Sequence, residues 1–224
     1  NADELMPLDK VAELADEAHE LGIVEWNMHG GELLTDKGRL LELIRAIEPE
    51  RFYVFLTSNG YLMTRETAEE LAAAGVNRVS ISIDSFNPKV HDAFRGIKGA
   101  YERAMQALEY VKEAGMDPFM NITVGHFNAF SEDVENLCRY SHEHGYKTFI
   151  NIAIPSGNWQ GHLDVVVDDR DRAHLMELRK KYGNIHRDLW NPFDKTNEGV
   201  LGCQTMSKLY VTPNGDIFPC SFMH

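Results

Sequence analysis

Hydrophobic residues follow two spacings that alternate along the chain. In some stretches apolar residues recur every three or four positions, which is typical of amphipathic helices, and in others they recur at about every second position, which is typical of strands. We expect helices at residues 7–21, 37–47, 64–74, 101–114, 131–143 and 168–181, with a shorter helix ending at Arg95. We expect strands at residues 23–28, 52–56, 78–83, 118–124 and 148–154.

This regular alternation of strand and helix predicts a parallel sheet. Five strands follow one another within roughly 155 residues, a spacing that fits right-handed βαβ units. A helix precedes the first of these strands, so we expect an earlier strand outside this sequence. The chain is therefore predicted to be an α/β protein whose functional groups gather at the carboxyl ends of the strands.

The pattern changes after the fifth strand. Residues 159–167 are typical of an irregular connector, and the polar residues 184–200 predict a loop. Short strands at 208–212 and 216–218, joined by Pro213-Asn214-Gly215, predict a β-hairpin. The predicted division is a barrel core at 1–157, a connector with one helix at 158–200 and the start of a small hairpin unit at 201–224.

The composition excludes several classes of protein. The chain has 22 basic and 35 acidic residues and a net charge of −13, whereas nucleic-acid and anionic-membrane surfaces need clustered Lys and Arg. No apolar run approaches the roughly 20 residues that span a bilayer. Three cysteines do not suit a secreted disulfide scaffold, so a reducing compartment and a cytoplasmic location are expected.

Polar residues or glycines lie at or near the carboxyl ends of four of the predicted strands. They are Gly30, Gly31, Glu32, Asn59, Ser82, Asp84 and Asn121. Any one of them could be an ordinary turn residue, but four such clusters at the same edge of one sheet favour a small-molecule pocket.

The chemistry of this set suits an amino acid joined to a nucleoside, provided that the residues share one pocket. The two glycines let a ligand approach the backbone, and the Glu32 carboxylate can hold an ammonium group. Arg95, helped by Ser82, could hold a carboxylate. Asn59 could hydrogen-bond a sugar hydroxyl.

Two of the cysteines suggest a metal centre. Cys203 and Cys220 flank the predicted hairpin, whose turn can bring both thiolates to one side. Such a pair could bind zinc or an iron–sulfur cluster with further ligands from elsewhere, and two buried, reduced thiols are the alternative. Cys138 lies inside a predicted helix and is expected only to pack.

Three histidines, His29, His91 and His126, also lie near predicted strand ends. A barrel hydrolase or lyase could use His29, Glu32 and Asp84 around a divalent metal. No HExxH-type pairing supports such a site, so each histidine is more simply interpreted as a pocket wall, a surface residue or a hydrogen-bonded residue.

Taken together, the motifs resemble the radical S-adenosylmethionine (SAM) superfamily, in particular its members with a SPASM or twitch auxiliary-cluster extension. Gly30-Gly31-Glu32 matches the GGE motif of that family, and Thr57-Ser58-Asn59-Gly60 is similar to its TNG-like strand end. The run from residue 80 to 96 resembles its strand-four signature. Cys203, Gly215 and Cys220 fit the C-x(9–15)-G-x(4)-C pattern that opens a SPASM domain.

The resemblance implies a partial (βα)6 barrel, similar to a TIM barrel without its first strand, that holds SAM over its strand ends. In the family, the GGE motif holds the methionine amino group, and Ser82 and Arg95 would take the SAM carboxylate. The cofactor-binding residues implied in this way are Gly30, Gly31, Glu32, Asn59, Ser82, Arg95 and Asn121. Cys203 and Cys220 would be ligands of an auxiliary [4Fe–4S] cluster.

The sequence departs from the family pattern in two ways. Leu33 replaces the proline that usually follows GGE, which is expected to change the loop modestly. The CxxxCxxC motif that holds the catalytic [4Fe–4S] cluster is not in this sequence, so its ligands are expected outside this chain, just before Asn1. Because a SPASM domain continues beyond Cys220 with more cysteines, we expect this chain to be the central portion of a longer enzyme.

The activity implied by the resemblance is reductive cleavage of SAM to a 5′-deoxyadenosyl radical, which abstracts a hydrogen atom from a substrate. We expect modification of a peptide or protein, or cofactor maturation, with a small-molecule substrate as the close alternative. A reductant such as flavodoxin or ferredoxin is implied as a partner, and no nucleic acid or membrane. The rival hypotheses are the metal-dependent hydrolase or lyase and a scaffold without catalysis.

Overall fold

A six-stranded parallel sheet forms the main unit of the computed structural model, which describes residues 5–187 and 208–219. Its strands lie in chain order and are β1 (Glu25–Met28), β2 (Tyr53–Ser58), β3 (Arg78–Ser82), β4 (Asp117–Val124), β5 (Lys147–Ile152) and β6 (Ile185–Arg187). The α-helices in the described residues are α1 (Leu8–Glu20), α2 (Lys37–Ala46), α3 (Arg65–Ala73), α4 (Pro88–Arg95), α5 (Ala100–Glu113), α6 (Glu132–Glu143) and α7 (Asp169–Tyr182). A two-stranded antiparallel hairpin pairs β7 (Tyr210–Val211) with β8 (Ile217–Phe218).

The predicted α/β fold of parallel strands joined by helices is confirmed, as are the five predicted strands and the terminal hairpin. The prediction of a loop at residues 184–200 is wrong at its beginning, because Ile185–Arg187 forms β6 and pairs with β5. Three residues are too few to show an alternating pattern. What makes them a strand is the hydrogen bonding of their backbone to the edge of the sheet, which the sequence alone does not reveal. The proposed boundaries at 157 and 200 remain predictions.

The two faces of the sheet have different surroundings. Ile81 pairs with Met120 in the register of β3 and β4, and both side chains are fully buried in the core that the helices cover. The next pair along these strands, Ser82 and Asn121, lies on the opposite face and is partly exposed. Because side chains alternate between faces along a strand, the same two strands supply apolar groups to the core and polar groups to the open face.

An aromatic layer around Arg78 fills the amino-terminal end of the open face. The Arg78 guanidinium lies 3.8 Å from the ring centroid of Phe55 and 4.5 Å from that of Phe119. Beside it, the Tyr53 hydroxyl donates a 3.0 Å hydrogen bond to Asp117. Stacking of a guanidinium on aromatic rings is favourable, and the small polar residues Ser82 and Asn121 of the same face lie farther toward the carboxyl end.

The hairpin contacts the beginning of the described chain. The Met6 backbone N–H donates a 2.6 Å hydrogen bond to the Pro213 carbonyl, and the ring centroid of His29 lies 5.6 Å from that of Tyr210.

Within the two described ranges, no helix is both long enough and apolar enough to cross a membrane.

Gly60 allows a close approach between the end of β2 and α5, which generates a test of the fold. Its φ of +76° is left-handed, and an added Cβ would lie 3.0 Å from Ala104 Cα and 3.0 Å from Ile81 Cγ2. Gly60→Ala is therefore expected to lower the free energy of unfolding by about 2–4 kcal/mol, through backbone strain and overpacking together. Urea unfolding monitored by circular dichroism measures this loss.

Gly115 provides the matched control. Its φ of +83° is also left-handed, but nothing lies within 4 Å of an added Cβ. Gly115→Ala should therefore cost only the backbone strain, about 1–2 kcal/mol. Equal losses in the two variants would contradict the proposed crowding at Gly60.

Candidate functional site

The loops after β1 to β4 meet at the carboxyl edge of the sheet, because parallel strands all end on the same side. Of the residues predicted for the site, Gly30, Gly31, Glu32 and Asn59 lie in these loops and Arg95 ends α4. Ser82 is the last residue of β3, and Asn121 lies within β4. The predicted residues fall into three groups, which are Glu32 bonded to the Asn59 backbone, Ser82 beside Asn121 in the register of β3 and β4, and Arg95 bonded to Asp84 from outside the predicted set. Within the described residues, no hydrogen bond or ion pair joins the Arg95 group to the Glu32 group.

The Glu32 carboxylate joins two loops. Its Oε1 accepts hydrogen bonds from the Ser58 hydroxyl at 2.8 Å and the Leu34 backbone N–H at 3.1 Å. Its Oε2 accepts a 2.8 Å hydrogen bond from the Asn59 backbone N–H. A carboxylate has about four acceptor positions, so one remains for a ligand such as an ammonium group.

Gly30 and Gly31 leave the edge of the sheet open beside Glu32. Both are exposed, and an added Cβ at either residue would meet nothing within 4 Å. Gly30 has a φ of +149°, a conformation that side chains disfavour. The glycines therefore let a ligand reach the backbone next to the carboxylate.

Hydrogen bonds from neighbouring groups hold the amide side chains of Asn59 and Asn121. The Asn59 Oδ1 accepts a 2.8 Å hydrogen bond from the Tyr61 backbone N–H, which turns the loop and leaves its side-chain NH₂ to donate. The Asn151 side-chain NH₂ donates to Asn121 Oδ1 at 2.5 Å. Asn121 lies beside Ser82 in the register of β3 and β4, so these polar groups line one part of the open face.

The ends of α4 determine where Arg95 lies. Asn87 caps the first turn by accepting the Lys89 backbone N–H at 3.0 Å, and Pro88 occupies the first helical position. Gly96, with a φ of +69°, ends the helix. Arg95 is therefore the last residue of a helix that starts close to the end of β3.

Asp84 has a role that the sequence did not show. Its Oδ2 accepts a 2.7 Å hydrogen bond from Arg95 Nε, and only 8% of its side chain is exposed. Within the described residues, Nε makes the only hydrogen bond of this guanidinium. Arg95 is thus oriented by a carboxylate while its terminal nitrogens can bind an anion.

His91 holds Asp84 in turn. Its side chain is 1% exposed, and its Nδ1 accepts a 3.1 Å hydrogen bond from the Asp84 backbone N–H. Burial lowers the pKa of His91, which favours the neutral ring that can accept this bond. In the sequence, the sign of this arrangement was that Asp84, His91 and Arg95 all lie in the run at 80–96 that resembles the strand-four signature. Their contacts depend on the turn between β3 and α4.

The three histidines do not form one metal site. His29 rests against Tyr210, His91 is buried beside Asp84, and His126 lies 2.7 Å from Asp171 through Nδ1. Among the described residues, the one set of three ligand-type side chains within 4.8 Å of one another is His126, Asp168 and Asp171. Glu32 and Asp84 belong to separate hydrogen-bonded groups, so the geometry does not support the hydrolase hypothesis.

The cysteines contribute little to the described site. Cys203 and Cys220 lie outside the described residues, so their role as ligands stays a prediction. Cys138 is buried on α6, where burial raises the pKa of its thiol to about 12. A thiol that stays protonated is a poor metal ligand, in agreement with the packing role expected for Cys138.

The donor set fits SAM but not its catalytic cluster. Glu32 has a free acceptor position for the ammonium group, Arg95 has free donors for the carboxylate, and the glycines leave room between strand end and ligand. No described residue is a thiolate ligand for a [4Fe–4S] cluster, since the one described cysteine is Cys138.

Comparisons with known proteins identify the family of this fold. A family model described as the radical SAM superfamily matches residues 1–141. The AdoMet-dependent heme synthase of Methanosarcina barkeri is 32% identical in an alignment 244 residues long, which includes 96% of this chain and 68% of that protein. The heme synthase of Nitratidesulfovibrio vulgaris is 32% identical over 148 residues, covering 66% of this chain and 40% of that protein.

The fold is also that of solved structures. Streptococcus suis SuiB bound to S-adenosylmethionine superposes with a TM-score of 0.71 at 19% identity, over 96% of this chain and 53% of SuiB. SuiB bound to the precursor peptide SuiA gives a TM-score of 0.70 at 18% identity, with the same coverage. This chain thus spans about half of SuiB and 40% of the N. vulgaris relative. With a family model matching well over half of its residues, the chain belongs to the radical SAM superfamily.

Proposed function

We propose that this chain is the SAM-binding portion of an enzyme that cleaves SAM reductively to a 5′-deoxyadenosyl radical, which abstracts a hydrogen atom from its substrate. The observation that carries the proposal is that a partly free carboxylate and a partly free guanidinium, which do not bond to each other, both lie at one edge of the sheet. Glu32 and Arg95 have the opposite charges that the ammonium and carboxylate of a methionine group require.

The remaining site residues orient the cofactor. Ser82 assists Arg95 with the carboxylate, and the Asn59 side-chain NH₂ donates to a ribose hydroxyl. Asn121, held by Asn151, borders the same part of the open face. The open backbone at Gly30 and Gly31 permits close contact with the methionine end of SAM.

Iron–sulfur clusters complete the proposed enzyme. A [4Fe–4S] cluster bound by residues outside this chain supplies the electron that cleaves SAM, and flavodoxin or ferredoxin is the proposed source of that electron. Cys203 and Cys220 are proposed as two ligands of an auxiliary [4Fe–4S] cluster. Because such clusters need a reducing environment, the proposed location is the cytoplasm.

The proposed substrate is a peptide or protein, with a small molecule or cofactor precursor as the second candidate. The comparisons include both classes, since SuiB binds a precursor peptide and the M. barkeri and N. vulgaris relatives are heme synthases. Identity to the heme synthases does not decide between them, because the shared region is the sheet that would bind SAM in either case.

The activity is tested by anaerobic reconstitution of the full-length protein, followed by assay of 5′-deoxyadenosine with SAM and dithionite. We expect product only from the cluster-loaded protein, and the protein without its cluster is the control. A fully loaded protein that forms no 5′-deoxyadenosine would overturn the proposal.

Arg95→Ala is expected to weaken SAM binding to the cluster-loaded protein by about 1.5–3 kcal/mol, because it removes a charge-assisted hydrogen bond. Asp84→Asn should weaken it less, because the cation remains and only its orientation is relaxed. Arg139→Ala, on the exposed side of α6, is the matched control and should bind SAM normally. Calorimetric titration measures the three dissociation constants, and an unchanged value for Arg95→Ala would refute its role.

The affinity for SAM should also depend on pH through His91. Burial holds the pKa of His91 below 6.5, so the ring stays neutral above that pH and keeps its hydrogen bond to Asp84. We expect constant affinity from pH 8 to about 6.5, and weaker binding as the pH falls through the lowered pKa of His91. His91→Gln has no group that titrates here, so the same decline in that variant would contradict the assignment.

A further inference from the structure

Three aromatic side chains from successive crossovers meet at the carboxyl edge of the sheet. Phe94 lies on α4, after β3, Phe127 follows β4, and Trp159 follows β5. The Trp159 ring centroid is 5.8 Å from that of Phe127 and 6.4 Å from that of Phe94. Phe127 is 57% exposed and Phe94 54% exposed, so this cluster is apolar surface at the end of the sheet where ligands bind.

The cluster adjoins the proposed SAM site. The Arg95 guanidinium lies 5.9 Å from the ring centroid of Phe94. A molecule that covers the aromatic cluster would therefore lie next to the residues proposed for SAM, which is where a substrate of a SAM-derived radical must be.

The loops that present the cluster are fixed before any ligand binds. The His126 backbone N–H donates a 3.0 Å hydrogen bond to the Val165 carbonyl, and its side chain bonds to Asp171. At Gly125, an added Cβ would lie 2.7 Å from that same carbonyl oxygen. A preformed surface has less conformational entropy to lose on binding.

The charge next to the cluster is negative. The connector that contains Trp159 also presents Leu163, which is 75% exposed, and Asp164, whose side chain is 81% exposed and lies 3.6 Å from His162 Nδ1. His126 lies near two carboxylates, Asp168 and Asp171. Residues 162–172 as a whole hold four acidic residues against the two basic residues Arg170 and Arg172, a net charge of −2 with His162 neutral. In a chain whose net charge is −13, this surface repels polyanions and attracts cations.

We propose that the acidic aromatic rim, formed by Phe94, Phe127, Trp159, Leu163 and Asp164, docks a segment of a peptide substrate that carries apolar and basic side chains. The aromatic rings bind the apolar side chains, and they also stack with cationic groups. Asp164 supplies charge complementarity. The inference rests on the proposed function and deepens it, because it selects a cationic peptide over a polyanionic small molecule.

The test uses the full-length, cluster-loaded protein and two fluorescein-labelled dodecapeptides, one alternating Phe with Lys and the other alternating Phe with Glu. Fluorescence anisotropy should show that the Phe/Lys peptide binds at least about tenfold more tightly, with affinity that falls as salt is added. Equal binding of the two peptides, or no binding of either, would overturn the proposal.

Variants locate the binding. Phe127→Ala and Trp159→Ala should each weaken Phe/Lys binding about tenfold, as expected for buried aromatic anchors, and Asp164→Asn should weaken it severalfold. Leu21→Ala and Glu20→Gln are the controls, because both exposed residues precede β1 and lie at the opposite edge of the sheet. Equal losses in the controls would place the binding elsewhere and overturn the assignment.

Two further measurements separate this inference from the proposed function. Formation of 5′-deoxyadenosine in the same preparation reports the activity, so a protein that forms it but does not bind the Phe/Lys peptide refutes only the rim. Iron protoporphyrin, a dicarboxylate macrocycle, is the competing probe. If iron protoporphyrin binds the protein but not Trp159→Ala, and the Phe/Lys peptide does not compete with it, the peptide proposal is overturned. The rim would then be assigned to a planar cofactor precursor.

Discussion

The hydrogen bonds of the Glu32 carboxylate are the interaction on which the rest of the site depends. By accepting the Ser58 hydroxyl and the Asn59 backbone N–H, Glu32 fixes the loop after β1 against the end of β2. This contact lies next to the exposed backbone of Gly30 and Gly31, where an added Cβ would meet nothing within 4 Å. The carboxylate proposed to bind the ammonium of SAM therefore also fixes the loops around that site. It can do both because it has about four acceptor positions, of which protein donors use three.

Asp84 uses the same chemistry on β3. It is nearly buried and orients Arg95, while the buried ring of His91 fixes its backbone. Both acids are thus engaged with different protein donors, which is why they do not converge on one metal ion. The geometry favours two carboxylates that position a charged cofactor over two carboxylates that perform hydrolysis.

The cofactor and the substrate are assigned to neighbouring parts of one edge. The groups proposed to bind SAM come from β1 to β4, the loops after them and α4, and the acidic aromatic rim comes from the crossovers after β3, β4 and β5. Arg95 and Phe94 are adjacent in the chain and link the two parts. The negative rim attracts cationic groups, and the neighbouring Arg95 attracts the carboxylate of SAM. Charge therefore directs the two proposed ligands to different parts of the edge.

The sequence by itself determined the class of fold and named the residues of the candidate site. Its apolar periods predicted the parallel strands and helices, and glycines and polar residues at the strand ends predicted the pocket, because strand direction places all such ends together. It did not predict β6, which is too short for a pattern, or the pairing of Asp84 with Arg95 and the meeting of Phe94, Phe127 and Trp159. Those contacts join residues from separate turns or crossovers, and only the tertiary packing of the loops sets the distances between them.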